Sequence, residues 1–418
     1  MKKIIGLVLF LHFVLLETAF GQYRCGSQLL PQNIVRDNVS GTRLFESWLR
    51  NASQAVGNQL LTNTAASDSA LLYIPVVFHV IYNTAPSGND TFNIPNERLQ
   101  EQIAILNNDF QRKSGTPGFN ESPISANARI EFRFANRDPN GNETDGIVRV
   151  NGGRNNWELS SDIQLKALSC WPTDKYLNVW VVNSLGLLGW AQYPPATSGN
   201  PGTTTDSSTD GVVVKYSGVG NAPNIFSPYH RGRTLTHEIG HYLGLLHVWG
   251  DQEDCSGNDF CNDTPPQAGP VERCPTIRNT CSTPNGDLIP NYMQYSDDIC
   301  MNMFTTDQVL RMRRVLRNAP RRLPLLTSPG LVLSNKSIIA SNIRCYPNPA
   351  SDKVMIEGLA LSEKTQITFT DLLGRKYQPN FEAASGKVVV SVSELPKGMY
   401  FIGVENESKH FTFRIIVK

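Results

Sequence analysis

The sequence predicts a mixed α/β (α+β) domain of catalytic size followed by a small all-β sandwich. The run YIPVVFHVIY, from Tyr73 to Tyr82, is β-branched and aromatic almost throughout, the pattern of a strand buried on both faces. Behind Pro95, Leu99, Ile103, Leu106 and Phe110 recur at helical spacing and give one apolar face to lay on a sheet. From Cys345 onward, short alternating segments are divided by Gly, Pro and Asn, which reads as a sandwich.

In chain order, Lys2 and Lys3 precede an apolar run from Ile4 to Leu16, and Ala19-Phe20-Gly21 supplies small residues for cleavage. Residues 1–21 therefore read as a signal peptide, and neither this run nor any later one has the ~20 apolar residues that span a bilayer. Residues 22–70 are polar apart from a short apolar-patterned piece at Leu44 to Leu49, and read as a detachable leader. The first folded domain is expected over 71–325, with further strands at Arg129 to Phe134, Tyr176 to Val182 and Val212 to Tyr216. Between Leu246 and Asn302 periodicity vanishes in favour of Gly, Pro, Asn, Asp and Cys; a loop this long is expected to be functional. Thr305 and Gln308 have capping-box spacing for a helix carrying Val309, Leu310, Met312, Val315 and Leu316, which Pro320 stops. Residues 326–342 read as a linker. The second domain, 343–418, is expected to have strands at Gln366 to Thr370, Lys387 to Val392, Tyr400 to Val404 and Phe411 to Val417.

Composition removes some functions. The 38 Lys and Arg balance 37 Asp and Glu, and no block is strongly basic, which argues against nucleic acid as a partner. The eight cysteines suit an oxidising compartment. Cys255, Cys261, Cys274, Cys281 and Cys300 crowd the long loop and read as disulfide staples, whereas Cys25, Cys170 and Cys345 stand apart. Thiol ligation of zinc is the competing reading, but paired C-x-x-C steps are missing. Parity does not assign the bonds.

The chemistry concentrates in HEIGHYLGLLH, from His237 to His247. His237 and His241 are four apart, one above the other on a helix face, where both imidazoles reach one metal. Gly244 can take the positive φ that ends the helix and lets His247 return as third ligand. Three neutral nitrogens favour zinc and leave a position for water. Glu238, beside the first ligand, is suited to take a proton from that water and deliver it to a departing amine.

This motif resembles the metzincin metallopeptidases, and within them the pappalysin family that includes ulilysin. The stretch NYMQYSDDICMNMFTTDQVLRM, Asn291 to Met312, resembles that family's Met-turn and following helix. The resemblance implies a twisted mixed sheet, an active-site helix and a Met-turn, with Met293 as apolar floor beneath the metal. It implies Tyr295 as stabiliser of the oxyanion. An acidic specificity pocket is implied at Asp297 or Asp298, Asp298 being preferred, with Arg or Lys at P1′. It further suggests the disulfides Cys255–Cys281 and Cys274–Cys300, leaving Cys261 without a partner and the pairing of Cys170 and Cys345 open. Calcium is implied in the loop GDQEDCSGNDFCNDTP, with Asp254, Asp259, Asp263 and Thr264 as candidate ligands. Cys25, in YRCGS, resembles a latency switch whose thiolate takes zinc's open position. Lastly, CYPNPASDKVMIEGL and PKGMYFI, beginning at Cys345 and Pro396, resemble type IX secretion sorting domains of Bacteroidota-type bacteria.

The expectation is a zinc endopeptidase, secreted or on the cell surface via the periplasm, whose partners are protein or peptide substrates and the type IX machinery. A catalytically silent, zinc-stabilised adhesin is the alternative. The strand Val212 to Tyr216 is expected to be the edge that holds substrate. Autolysis is expected before Arg50 or Arg43.

Overall fold

The computed structural model describes residues 23–30, 45–51, 70–84, 88, 90–194, 207–222, 227–332, 344–357, 366–371, 374–384, 387–406 and 409–418. The expected signal peptide, Arg43 and most of the expected linker lie outside the described residues. The chain forms two compact units that divide between Val332 and Leu333.

The first unit contains, in order, β1 (Tyr23–Cys25), the helical turn α1 (residues 45–51), β2 (Leu72–Thr84), β3 (Asp90–Thr91) and α2 (Asn96–Phe110). There follow β4 (Ile130–Phe134), β5 (Ile147–Asn151), α3 (Asp162–Ala167), β6 (Leu177–Val182), β7 (Leu187–Ala191) and β8 (Val212–Lys215). The unit closes with α4 (Arg233–Tyr242), β9 (Glu272–Arg273), β10 (Tyr295–Ser296) and α5 (Thr306–Asn318).

Eight strands make one mixed sheet in the order β1-β7-β8-β6-β2-β3, with β4 and β5 in series along the other edge of β2. β2 is the expected buried strand: Ile74 to Ile81 are all buried, as are all residues of β6, because helices or loops cover both faces. Leu99, Leu106 and Phe110 of α2 are fully buried against this sheet, joined by Ile239, Leu235 and Tyr242 from α4. Pro95 stands at the cap before α2 rather than inside its first turn. Thr305 and Gln308 form the expected capping box of α5.

The structure corrects the expected substrate edge. Val212 to Lys215 lies inside the sheet, paired on one side with β6 and on the other with β7. Apart from β1, the edge of this sheet is β7, antiparallel to β8, and β1 covers it: Tyr23 pairs with Leu187 and Cys25 with Gly189 in parallel register. Residues 45–51 of the same N-terminal region pack at a second place. Phe45 and Leu49 of α1 are buried against Val315 of α5 and Ala319 at its C-terminal cap, and Glu46 meets Arg311, Nη1 to Oε2, at 2.7 Å. The unit also runs past the expected end at Leu325: Leu323–Thr327 forms a 3₁₀ turn, and Val332 exchanges hydrogen bonds with Asn136.

The second unit is the expected sandwich. β11 (Arg344–Tyr346), β12 (Lys353–Glu357), β13 (Gln366–Asp371), β14 (Lys376–Tyr377), β15 (Phe381–Ala384), β16 (Lys387–Ser391), β17 (Gly398–Asn406) and β18 (Lys409–Val417) follow one another. They form two four-stranded antiparallel sheets, β11-β12-β16-β15 and β14-β13-β17-β18. Val354, Ile356, Val388 and Val390 from one sheet share a core with Phe369, Ile402, Val404 and Ile415 from the other. Among the described residues no helix is long and apolar enough to cross a membrane.

Candidate metal centre

Helix α4 lies under β7 and carries His237 and His241 on one turn-spaced face. It stops at Tyr242, and Gly244 then takes φ +92°, a conformation other residues rarely adopt. A Cβ at Gly244 would also meet Val315 at 2.8 Å. The reversed chain returns His247, as expected. All three imidazoles are fully buried.

Each ring is turned by an acceptor behind it. Nδ1 of His237 faces the carbonyl of Tyr292 at 2.7 Å, that of His241 faces the carbonyl of Leu245 at 2.9 Å, and that of His247 faces the carboxylate of Asp251. With Nδ1 donating, every Nε2 presents a lone pair. These lone pairs point at one another: the Nε2 atoms are 3.1, 3.1 and 3.3 Å apart. Nitrogens tetrahedrally disposed at 2.0–2.1 Å around zinc stand about 3.3 Å apart, so the triangle fits one cation, and without a cation it has no favourable account. Burial, then the two neighbouring imidazoles, holds the pKa of His237 well below the usual value, which suits a neutral ligand.

Cys25 closes the group. Its sulfur and the three histidine nitrogens all lie within 4.8 Å of one another, and all four residues are buried. Burial and then the Glu238 carboxylate push the thiol's pKa up, so a thiolate here depends on a positive ion at the centre. Glu238 is fully buried. Its Oε2 accepts from the Ser27 hydroxyl at 2.7 Å and lies 3.5 Å from the Cys25 sulfur, while Oε1 has no hydrogen-bond partner. Burial pushes its pKa up to about 8. Gly189 allows the close approach of β7, since a Cβ there would meet the Glu238 Cγ at 2.9 Å.

Below the helix, Met293 packs on Gly240, where a Cβ would stand 2.4 Å from its sulfur; Met293 is fully buried and fits the expected floor. The Tyr295 ring lies 5.1 Å from that of His247 and 4.9 Å from that of Trp249. Asp298 is 2% exposed and Asp297 only half-buried, which separates the pair. Oδ2 of Asp298 accepts from the backbone N–H groups of Arg231 and Arg233 at 2.8 and 3.2 Å. Its Oδ1 faces Arg24 at 3.4 Å. Arg24 is itself 2% exposed, donates to the carbonyl of Ser296 and stacks 4.9 Å over the Tyr229 ring.

The sequence reading missed Arg24, Ser27 and the orienting role of Asp251. Arg24 had a signal, a cation adjoining Cys25 and opposite in sign to Asp298; Ser27 and Asp251 had none beyond proximity in sequence to a named residue.

In the long loop both expected disulfides are present, Cys255–Cys281 and Cys274–Cys300, and Cys261 is free and buried. The four calcium candidates are not one group. Asp254 is exposed and accepts from the N–H of Ser256 at 2.9 Å. Asp259, 4% exposed, accepts from Thr264 at 2.8 Å through Oδ1. Asp263 accepts from the N–H of Asp307 at 2.9 Å. Oδ2 of Asp259 and Oδ1 of Asp263 are buried without hydrogen-bond partners.

Residues 160–317 match the family model described as pregnancy-associated plasma protein-A, a peptidase family, and residues 344–418 match the secretion system C-terminal sorting domain. An extracellular metalloprotease of Arthroderma otae is 32% identical over 275 residues, covering 65% of this chain and 86% of that protein. Extracellular metalloprotease 1 of Coccidioides posadasii is 43% identical over 143 residues, 34% of this chain and 49% of that protein. Among solved structures, a mutant of Tannerella forsythia promirolysin is 36% identical with a TM-score of 0.58, covering 73% of this chain and 97% of that one. Mature mirolysin in complex with a cleaved peptide is 39% identical with a TM-score of 0.55, covering 62% and 96%. The sorting domain and the extracellular relatives mark a secreted or cell-surface protein. A metalloprotease family implies zinc, and the imidazole triangle fits it. At that identity over most of the Arthroderma protein, the chain belongs to the pregnancy-associated plasma protein-A, or pappalysin, family of extracellular metalloproteases.

Proposed function

We propose that the protein is made as a latent zymogen and, once its leader is removed, cleaves peptide bonds before Arg or Lys. One observation carries this reading. Three consecutive functions of the cleft are met by one short stretch of leader: Arg24 on Asp298, Cys25 among the three histidines, and Ser27 on Glu238. A guanidinium buried on Asp298 is what a P1′ arginine would be, and a thiol beside the imidazoles excludes water from the fourth position.

When bound, zinc supplies Lewis acidity, acidifying water and polarising the scissile carbonyl. The chain's own residues do the rest. Released from Ser27 and Cys25, Glu238 takes the proton of the attacking water at Oε2 and passes it to the departing amine. The Tyr295 hydroxyl donates to the carbonyl oxygen as negative charge develops there. The backbone edge of β7, freed of β1, takes the substrate strand, and Asp298 takes the P1′ cation while Asp297 stays outside the buried pocket.

Calcium belongs to the same reading, with Asp259 and Asp263 as ligands. Two buried carboxylate oxygens without partners support a cation there; the exposed, turn-forming Asp254 is the weakest of the candidates, and Thr264 acts by holding Asp259. Residues 1–21 direct export to the periplasm, and the type IX machinery reads the C-terminal unit.

The test is mass-spectrometric mapping of products from a denatured protein treated with the matured enzyme. New N-termini at Arg or Lys are expected. Apolar N-termini would overturn the specificity, and no cleavage by zinc-loaded, processed protein would overturn the reading as a whole.

A further inference from the structure

Four charges alternate from the cleft into the body of the protein: Arg24, Asp298, Arg233 and Asp109. The outer pair is described above. The inner pair lies behind it, at the start of α4. Nη2 of Arg233 is 3.1 Å from Oδ1 of Asp109, and Nη1 donates to the carbonyl of Arg231 at 2.9 Å. Its Nε is buried without a hydrogen-bond partner. The second oxygen of Asp109 accepts from the Thr236 hydroxyl at 2.7 Å. Arg233 is 5% exposed, and Asp109 and Asp298 are 2% exposed.

A buried guanidinium needs a counter-charge, and Arg233 has two within reach. Its own backbone N–H already rests on Asp298. Its side chain and Asp298 line one cavity of about 180 Å³ together with Glu101 and Ile105, which leaves room for the guanidinium to turn. With Arg233 drawn to Asp109, the side of Asp298 that faces the cleft keeps a charge to offer, which Arg24 now occupies.

We infer that Asp109 is a positioning residue for specificity: by holding Arg233 it keeps the Asp298 carboxylate available to a cation at P1′. This rests on the reading of Asp298 as the base of the P1′ pocket. Asp109 does not touch substrate; its effect on the P1′ cation runs through Arg233, whereas its bonds to Thr236 and Tyr292 would, if lost, affect peptides with Arg or Leu at P1′ alike.

The test compares two peptides that differ only in Arg or Leu at P1′, cleaved by matured full-length enzyme. Asp109→Asn should lower kcat/KM for the Arg peptide about tenfold, mainly through KM, and leave the Leu peptide within about twofold, because the freed Arg233 neutralises Asp298. The double variant Asp109→Asn/Arg233→Gln removes the competing cation and should restore most of the Arg preference. Equal losses on both peptides, or a double variant no better than the single, would overturn the inference. Arg233→Gln alone should keep the Arg preference at or above the wild-type level, and its loss would also count against the inference; this arm stands even where Asp109→Asn does not fold. Asp298→Asn runs beside them. If it leaves the Arg preference intact, the pocket reading itself fails; if it abolishes the preference while Asp109→Asn does not alter it, only the role of Asp109 falls.

Discussion

Glu238 and Tyr295 flank the three imidazoles without either being placed as a ligand, so each can be changed with the metal retained. Glu238→Ala should keep zinc and fold and lose nearly all hydrolysis; zinc content and turnover measured on one sample check this, and a tenth or more of wild-type activity would contradict the assigned proton carrier. Tyr295→Phe should cost roughly 10–1000-fold in kcat with folding intact, as for one lost oxyanion donor, and an unchanged kcat would reduce the residue to packing. The imidazole cluster was legible because helical spacing writes itself into sequence: His237 and His241 are four positions apart, and a glycine marks the reversal before His247. The resemblance preferred Asp298 over Asp297, but the physical difference between them is burial. Adjacent residues in an irregular turn face different ways, and the sequence holds no period from which to read that.

Element boundaries followed the same division. Strands β2 and β6 are predominantly apolar runs, whereas β7 is five residues, LLGWA, with a glycine at its centre, and its pairing with β1 joins residues about half of the first unit apart. Neither fact leaves a local pattern, so the sequence alone points to β8 as the edge. Within the sheet, His79 of β2 stacks 5.2 Å from the Trp180 ring and contacts Asn178 at 2.8 Å. Burial lowers its pKa to about 4. The folded protein therefore resists a proton that the unfolded chain accepts below about pH 6.5, and stability present above that pH is lost as pH falls toward 4. Relative to His79→Gln, the wild type should lose roughly 2–3 kcal/mol between pH 7 and pH 4.5 in urea unfolding; a gap independent of pH would assign the burial no such role. Helix α1 makes a second element-scale prediction. The Leu49–Arg50 bond, expected as an autolysis site, sits in a helical turn with Leu49 buried on α5, and an extended substrate cannot be helical. Glu46→Ala, which leaves Arg311 without its buried partner, should speed cleavage at that bond by roughly tenfold through loss of α1 docking. Product N-termini followed over time report it, and an unchanged rate would mean that α1 does not guard the bond.

Across the whole molecule, the described N-terminal residues pack at two separated places within the first unit, the cleft and α5, while the C-terminal unit folds around its own core. The polar composition of residues 22–70 marks the segment as detachable but does not show how it is held: among its described residues Arg24, Cys25, Ser27, Glu46 and Leu49 are buried, and their partners lie far along the chain, Glu238 and Asp298 among them. Cys25 beside the three imidazoles is the centre of the account. Zinc K-edge X-ray absorption on the intact chain, before and after maturation, tests it most directly. The account predicts one sulfur at about 2.3 Å with nitrogen ligands at about 2.0–2.1 Å before processing, and nitrogen and oxygen alone afterwards. A zinc shell without sulfur in the intact chain, or one that keeps its sulfur in fully active enzyme, would contradict it.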